Sequence, residues 1–128
     1  MLERYKKMEK LSLKGLKFET TEIIIKDNIM TITLARPEKK NAMNNVMMNE
    51  INYALAYAKQ ENSIRVVIIA AKGDIFCSGA DLSRSESDSN VPRLEGFDDI
   101  SLSLRHLYKP VICKIQGSVL AGALLIVT

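Results

Sequence analysis

The stretch Phe76-Cys77-Ser78-Gly79-Ala80-Asp81-Leu82 follows the apolar run Val66-Val67-Ile68-Ile69-Ala70-Ala71. A strand that feeds a small-residue turn and then a helix start aims unpaired backbone N–H groups outward. Donors in that geometry hold a developing oxyanion, so the stretch points towards acyl chemistry. Taken alone, the same turn can equally be a plain chain reversal. The surrounding sequence has to decide between the two.

Upstream, Ile23 and Ile25, then Met30, Ile32 and Leu34 set against Ile29, Thr31 and Thr33, have period two, with Asp27-Asn28 between the runs. That is a β-hairpin signature. After Arg36-Pro37 the period changes: Met43, Val46, Met47, Ile51, Ala54, Leu55 and Ala58 fall three or four apart. They predict an amphipathic helix over residues 42–60, capped by Asn41 or Asn44, with its methionines as core filler. The β-branched run from Val66 predicts a strand covered on both faces, with residues 111–115 as its neighbour.

Between these two strands lie a Ser-rich segment, 83–90, and a second amphipathic helix bearing Phe97, Ile100, Leu104, Leu107 and Tyr108. Asp98 and Asp99 stand at its positive end and Pro110 lies past its finish. The whole reads as a βαβ unit with a loop excursion, and the loop is either a surface segment or a substrate lid. Gln116-Gly117-Ser118 then turns the chain into an apolar helix over residues 119–128, which must be buried. We therefore expect the first part of a larger protein; the alternative is an apolar tail buried in a partner.

At 128 residues and 47% hydrophobic composition the chain fits one small domain with an ample core. Its net charge of +3, from 18 basic against 15 acidic residues spread along the sequence, argues against nucleic acid but leaves room for an anionic small molecule. No apolar stretch reaches the roughly 20 residues that span a bilayer, so a soluble protein without membrane contact is expected. Cys77 and Cys113 lack metal-ligand spacing and read as reduced thiols in a reducing compartment, the cytoplasm. Residues 1–20 read as a basic leader, solvated or briefly helical, because Glu3 and Glu9 interrupt the cations that a transit peptide would carry unbroken.

The two predicted parallel strands each lead towards a Gly-containing turn, Gly79-Ala80 and Ala121-Gly122. Parallel neighbours place both turns at one sheet edge, where their N–H groups can converge on one oxygen. Four ordered blocks now stand together: Arg36-Pro37 with Asn41-Ala42, the 76–82 stretch, Lys109-Pro110-Val111-Ile112, and Gly117 with Gly122. Over residues 22–128 their order and spacing resemble the crotonase, or enoyl-CoA hydratase/isomerase, superfamily.

The resemblance implies an α/β fold, a spiral of ββα units in residues 21–128, cut off before a C-terminal helical region. It also implies an oxyanion hole made by the backbone N–H groups of Ala80 and Gly122. Asn41 and Ala42 would help seat the adenine part of coenzyme A, with Lys39 and Lys40 meeting its phosphates, although an ordinary solvated loop explains those lysines equally well. Gly79, Ala80, Asp81 and Leu82 would line the substrate, while Asp81 also suits a helix cap or loop brace. A coenzyme A thioester would be the substrate, with no prosthetic group and no metal. The complete protein would be a homo-oligomer, a trimer or hexamer.

The departures from the family pattern matter as much. Ala121-Gly122-Ala123 stands where three glycines are frequent, which predicts a tighter pocket. Leu125 occupies the position where hydratases carry a catalytic glutamate, and a second acid normally comes from a later segment. His106, the only histidine, has no nucleophile motif near it and reads as incidental. The leading expectation is acyl-CoA binding and conversion, by hydration, isomerisation or a related reaction, through a stabilised thioester enolate. The alternative is a non-catalytic or truncated module with an assembly role. A nucleotide-binding Rossmann module is excluded, since no GxGxxG follows the first strand.

Overall fold

The computed structural model describes residues 10–80, 90–94 and 99–120. Asp27 and Asn28 both adopt positive φ, 53° and 66°, and a two-residue turn of that hand matches the twist of the strands it joins. It links β1 (Thr21–Lys26) to β2 (Ile29–Leu34) in antiparallel register, with Lys26 opposite Ile29 and Thr21 opposite Leu34. The predicted hairpin is present.

Two parallel crossovers extend it. From β2 the chain makes one 3-10 turn at Pro37–Lys39, runs through α1 (Asn45–Gln60) and returns as β3 (Val66–Ala71), with Met30 beside Val67 and Ile32 beside Ile69. From β3 it passes through β4 (Ile75–Cys77) and α2 (Ile100–Arg105) and returns as β5 (Val111–Cys113), parallel to β3. The sheet order is β1-β2-β3-β5. The mixed α/β architecture expected from the periodicities, with parallel neighbours at 66–71 and 111–113, is the one observed.

α1 begins three residues later than the apolar spacing predicts. Met43 is held in a bridge with Ala80, and Asn44, still extended, accepts a hydrogen bond from Met47 N at 2.9 Å. Asn44 is thus the cap, and satisfies one of the donors a helix start leaves open. Met47, Ile51, Ala54, Leu55 and Ala58 then pack on Met30, Ile32, Leu34, Val67 and Ile69 in one core cluster. Each large apolar side chain buried there contributes roughly 1.5–3 kcal/mol. At the other end of α1, the Lys109 ammonium donates to the carbonyls of Ala58 and Glu61, the position where a cation meets the negative end of a helix.

Four expectations need correction. β3 is covered on one face only: Val67 and Ile69 are fully buried, Val66, Ile68 and Ala70 only half-buried. Beside Ile68 in the same row, Ile24 and Ile112 are 59% and 54% exposed. α2 is shorter than predicted because Asp99 caps it, accepting from the N–H groups of Ser101 and Leu102; Phe97 and Asp98 lie outside the described residues. Tyr108 falls beyond the helix, at φ 56°, with 79% of its surface exposed.

The third correction concerns only residues 10–20 of the leader; residues 1–9 lie outside the described residues. Residues 10–20 are tied to α1 rather than solvated: Leu11 N donates to Gln60 Oε1, Tyr53 Oη donates to Ser12 O, and Leu13 packs on the core. The strongest tie is Glu50, wholly buried in α1, whose carboxylate accepts from Glu19 N, Thr20 N, Thr20 Oγ1 and Thr21 Oγ1 at 2.7–3.0 Å. Four donors converging on one carboxylate let it lie away from water without a cation among the described residues. The fourth correction is a second sheet, in which β4 pairs in parallel with β6 (Ser118–Val119). It bears directly on the site.

Candidate active site

The two Gly-containing turns do not leave β3 and β5 directly, as the sequence reading has it. They follow β4 and β6. Cys77 is the ladder partner of Val119, and Leu120 N donates to Cys77 O at 3.0 Å. The residues leading to Gly79-Ala80 and those leading to Ala121-Gly122 therefore run side by side and in the same direction. Gly122, Leu125, Asp81, Leu82 and residues 83–89 of the Ser-rich segment lie outside the described residues.

Around Ala80 the geometry is set by the loop that precedes α1. Lys40 O accepts from Ser78 N at 3.1 Å, and Met43 N donates to Gly79 O at 2.8 Å. In a planar trans peptide the N–H of one residue points opposite to the C=O of the residue before it, and the chain has no cis peptide among its described residues. Gly79 C=O faces Met43, so Ala80 N–H faces away from the loop. Ala80 is exposed, and among the described residues no acceptor takes its N–H. Gly79 has φ 105°, a backbone conformation suited to glycine.

The loop itself has two successive left-handed residues, Lys40 and Asn41, both at φ 54°. Lys39 and Lys40 are exposed, and Ala42 is half-buried with its carbonyl accepting from Arg36 Nη1 at 2.6 Å. Asn41 is fully buried. Its Oδ1 accepts from Arg36 N at 2.8 Å, and its Nδ2 donates to Lys72 O and Ile75 O at 2.8 and 3.0 Å. The amide expected to help seat an adenine is thus turned inward, because those three backbone groups take up its donors and its acceptor.

The Cys77 thiol, also buried, donates to Asn41 O at 3.1 Å. Burial pushes its pKa up, partly offset by the nearby Gly79 backbone, so the thiol is neutral at physiological pH. Cys77 and Cys113 are both free. His106 caps the C-terminus of α2, its ring 6.2 Å from that of Tyr108. Among the described residues no cluster of His, Cys, Asp or Glu is arranged to hold a metal ion, and no helix is long and apolar enough to cross a membrane.

Residues 24–128 match the family model described as enoyl-CoA hydratase/isomerase. The chain belongs to the enoyl-CoA hydratase/isomerase family. It is 37% identical over 109 residues to the probable enoyl-CoA hydratase echA12 of Mycobacterium bovis, covering 75% of this chain and 37% of that protein. It is 32% identical over 110 residues to the 1,2-epoxyphenylacetyl-CoA isomerase of Escherichia coli, covering 77% of this chain and 40% of that one. Among solved structures, a probable enoyl-CoA hydratase from Mycobacterium smegmatis superposes with a TM-score of 0.69 at 31% identity, over 84% of this chain and 44% of the other. The chain thus spans about two-fifths of the length of the curated relatives it matches. Membership of this family accounts for the order of the four sequence blocks and for the mixed sheet with its parallel crossovers.

Proposed function

We propose that the chain carries the acyl-CoA site of an enoyl-CoA hydratase/isomerase-like protein. Ala80 N–H and Gly122 N–H act there as the two donors to a thioester oxygen. The observation that carries this reading is the Met43 N–H to Gly79 O bond, which turns the N–H of Ala80, an exposed residue, away from its own loop. Such a donor stabilises the negative charge that grows on a thioester oxygen as an enolate or tetrahedral species forms, and each donor typically contributes about 2.7–4 kcal/mol. Backbone groups are suited to this work because they are fixed before the substrate arrives.

Lys39 and Lys40, exposed on the same loop, meet the phosphates of coenzyme A, and the loop shaped by Asn41 and Ala42 receives its adenine. Gly79, Asp81 and Leu82 border the acyl group. The substrate is a coenzyme A thioester, no prosthetic group takes part, and the reaction is a hydration, isomerisation or related acyl-CoA conversion. The protein works as a trimer or hexamer in the cytoplasm. Leu125, at the family's glutamate position, favours a second reading: a non-catalytic or truncated member with an assembly role.

Calorimetric titration with acetyl-CoA and crotonyl-CoA, against free nucleotides as competitors, tests the proposal. Preference for the thioesters supports it, and equal binding of nucleotides lacking a thioester overturns it.

A further inference from the structure

Asn41 grips three pieces of chain at once. Its side chain holds Arg36 N at the start of its own loop and the carbonyls of Lys72 and Ile75 on either side of the β3–β4 turn, while its backbone carbonyl holds the Cys77 thiol at the end of β4. An asparagine amide has two N–H donors and one carbonyl acceptor, so both donors and the acceptor are engaged. The residue is 0% exposed. It therefore has no hydrogen to offer a ligand.

What it does control lies within two residues of it in sequence. Lys40 O takes Ser78 N, and Met43 N takes Gly79 O; these two bonds set the orientation of the peptides at 78 and at 79–80. Both reach from the loop that Asn41 pins against the β3–β4 turn. If that pin is released, the loop, the two bonds and the Gly79–Ala80 peptide plane are free to shift together.

We infer that Asn41 is a positioning residue: by clamping the loop to the β3–β4 turn and to Cys77, it fixes the direction in which Ala80 N–H points at the thioester oxygen. This rests on the reading of Ala80 as an oxyanion donor. The side chain is well matched to the task. Aspartate at this position would set a carboxylate oxygen against the carbonyls of Lys72 and Ile75. Alanine would lose every side-chain bond and strain a backbone at φ 54°. Glycine keeps that backbone conformation and removes only the side-chain ties. A misplacement of about 1 Å in such a donor can cost on the order of a hundredfold in rate.

The test is the infrared stretch of the thioester carbonyl in acetyl-CoA labelled with carbon-13 at that carbonyl, bound to the protein, measured together with its affinity. A merely structural role for Asn41 would alter stability and leave the stretch of the bound ligand where it was. In the wild type the stretch is expected at lower frequency than in free acetyl-CoA. At saturating acetyl-CoA, Asn41→Gly should lose most of that shift, and its affinity should fall as well, because the same loop receives the adenine. An undiminished shift in Asn41→Gly overturns the inference whatever the affinity; weakened binding with the shift retained leaves Asn41 a determinant of coenzyme binding only. If Asn41→Gly does not fold, Cys77→Ser decides: the shorter hydroxyl loses the reach to Gly79 O, 4.0 Å from the thiol, and loosens the tie to Asn41 O; a reduced shift supports the clamp, and an unchanged one overturns it. Wild-type binding with no shift at all overturns the oxyanion reading of Ala80, and the inference falls with it.

Discussion

A methyl group on Gly117 would lie 2.0 Å from Asp74 O and 2.9 Å from Asp74 C. Gly117 immediately precedes β6 and Asp74 immediately precedes β4, so the absence of a side chain at 117 is what lets the two short strands meet. Backbone cannot yield as a flexible side chain can. Gly117→Ala should therefore separate β4 from β6 and lose the Leu120 N to Cys77 O bond, with destabilisation of about 2 kcal/mol or more, at the severe end of backbone substitutions. Urea denaturation, together with amide exchange at Leu120, checks it. Wild-type stability with protected Leu120 would contradict the close approach.

Removal of a single hydrogen tests the candidate donor. Replacing the Gly79–Ala80 amide by an ester, with lactic acid in place of Ala80, deletes Ala80 N–H and leaves the shape of the turn. The ester should lose most of the downward shift of the thioester carbonyl stretch that bound acetyl-CoA shows in the wild type, because a donor aimed at that oxygen is gone. Infrared spectra of the bound thioester would show this, and an undiminished shift in the ester would remove Ala80 from the site.

Glu50 yields a stability prediction. Glu50→Ala leaves four converging donors around a buried space, and each unsatisfied donor costs about 1–3 kcal/mol. Partial relaxation and entry of water reduce the sum, so the expected loss is about 3–5 kcal/mol, read from urea denaturation. Glu50→Gln, whose NH2 in place of Oε2 opposes the Glu19 N–H while its Oε1 keeps the other three donors, should fall between Glu50→Ala and the wild type.

The Cys77 thiol gives the protein an alkaline weakness. Below the ordinary thiol value of 9.0 both folded and unfolded chains keep the proton, and its contribution to stability is fully present. As pH rises past that value, the unfolded thiol ionises while the buried one, its pKa raised, stays protonated; stability then falls until the folded thiol ionises too. Cys113, raised in the same direction by burial, adds a slope of the same sign. Comparing Tm against pH from 8 upward in wild type and Cys77→Ala isolates the Cys77 part: the variant should show the shallower decline.

Leu125 predicts a chemical deficit. Donors to the thioester oxygen polarise it without delivering water or a proton, so the chain should hydrate crotonyl-CoA no faster than buffer does, followed by absorbance. Robust turnover would show that another residue supplies the acid or base.

The parts of the fold legible in the sequence were those with a period. Met30, Ile32 and Leu34 declared β2, and Met47, Ile51, Leu55 and Ala58 declared α1, because burial repeats along a strand and along a helix at different intervals. β4 and β6 were not legible, since three residues and two residues carry no period. Their pairing depends on a long-range approach that only Gly117 hints at. Glu50 was equally hidden: an acid on a helix reads as solvent-facing, and its donors lie about thirty residues away at Glu19, Thr20 and Thr21. At the candidate site the sequence singled out Asn41, Gly79 and Ala80. The bonds that organise them run through Lys40 O, Met43 N and Ser78 N, and backbone atoms leave no mark on residue identity.

That anonymity has an evolutionary consequence. The hydrogen bonds between residues 40–43 and 78–79 engage only main-chain atoms. Any residue except proline could supply the same N–H at 43, 78 or 80. With Ala80 as the donor proposed above, descendants of such a chain can therefore exchange the side chains facing a substrate, and so drift from one acyl group or reaction to another, while inheriting the same aimed amide.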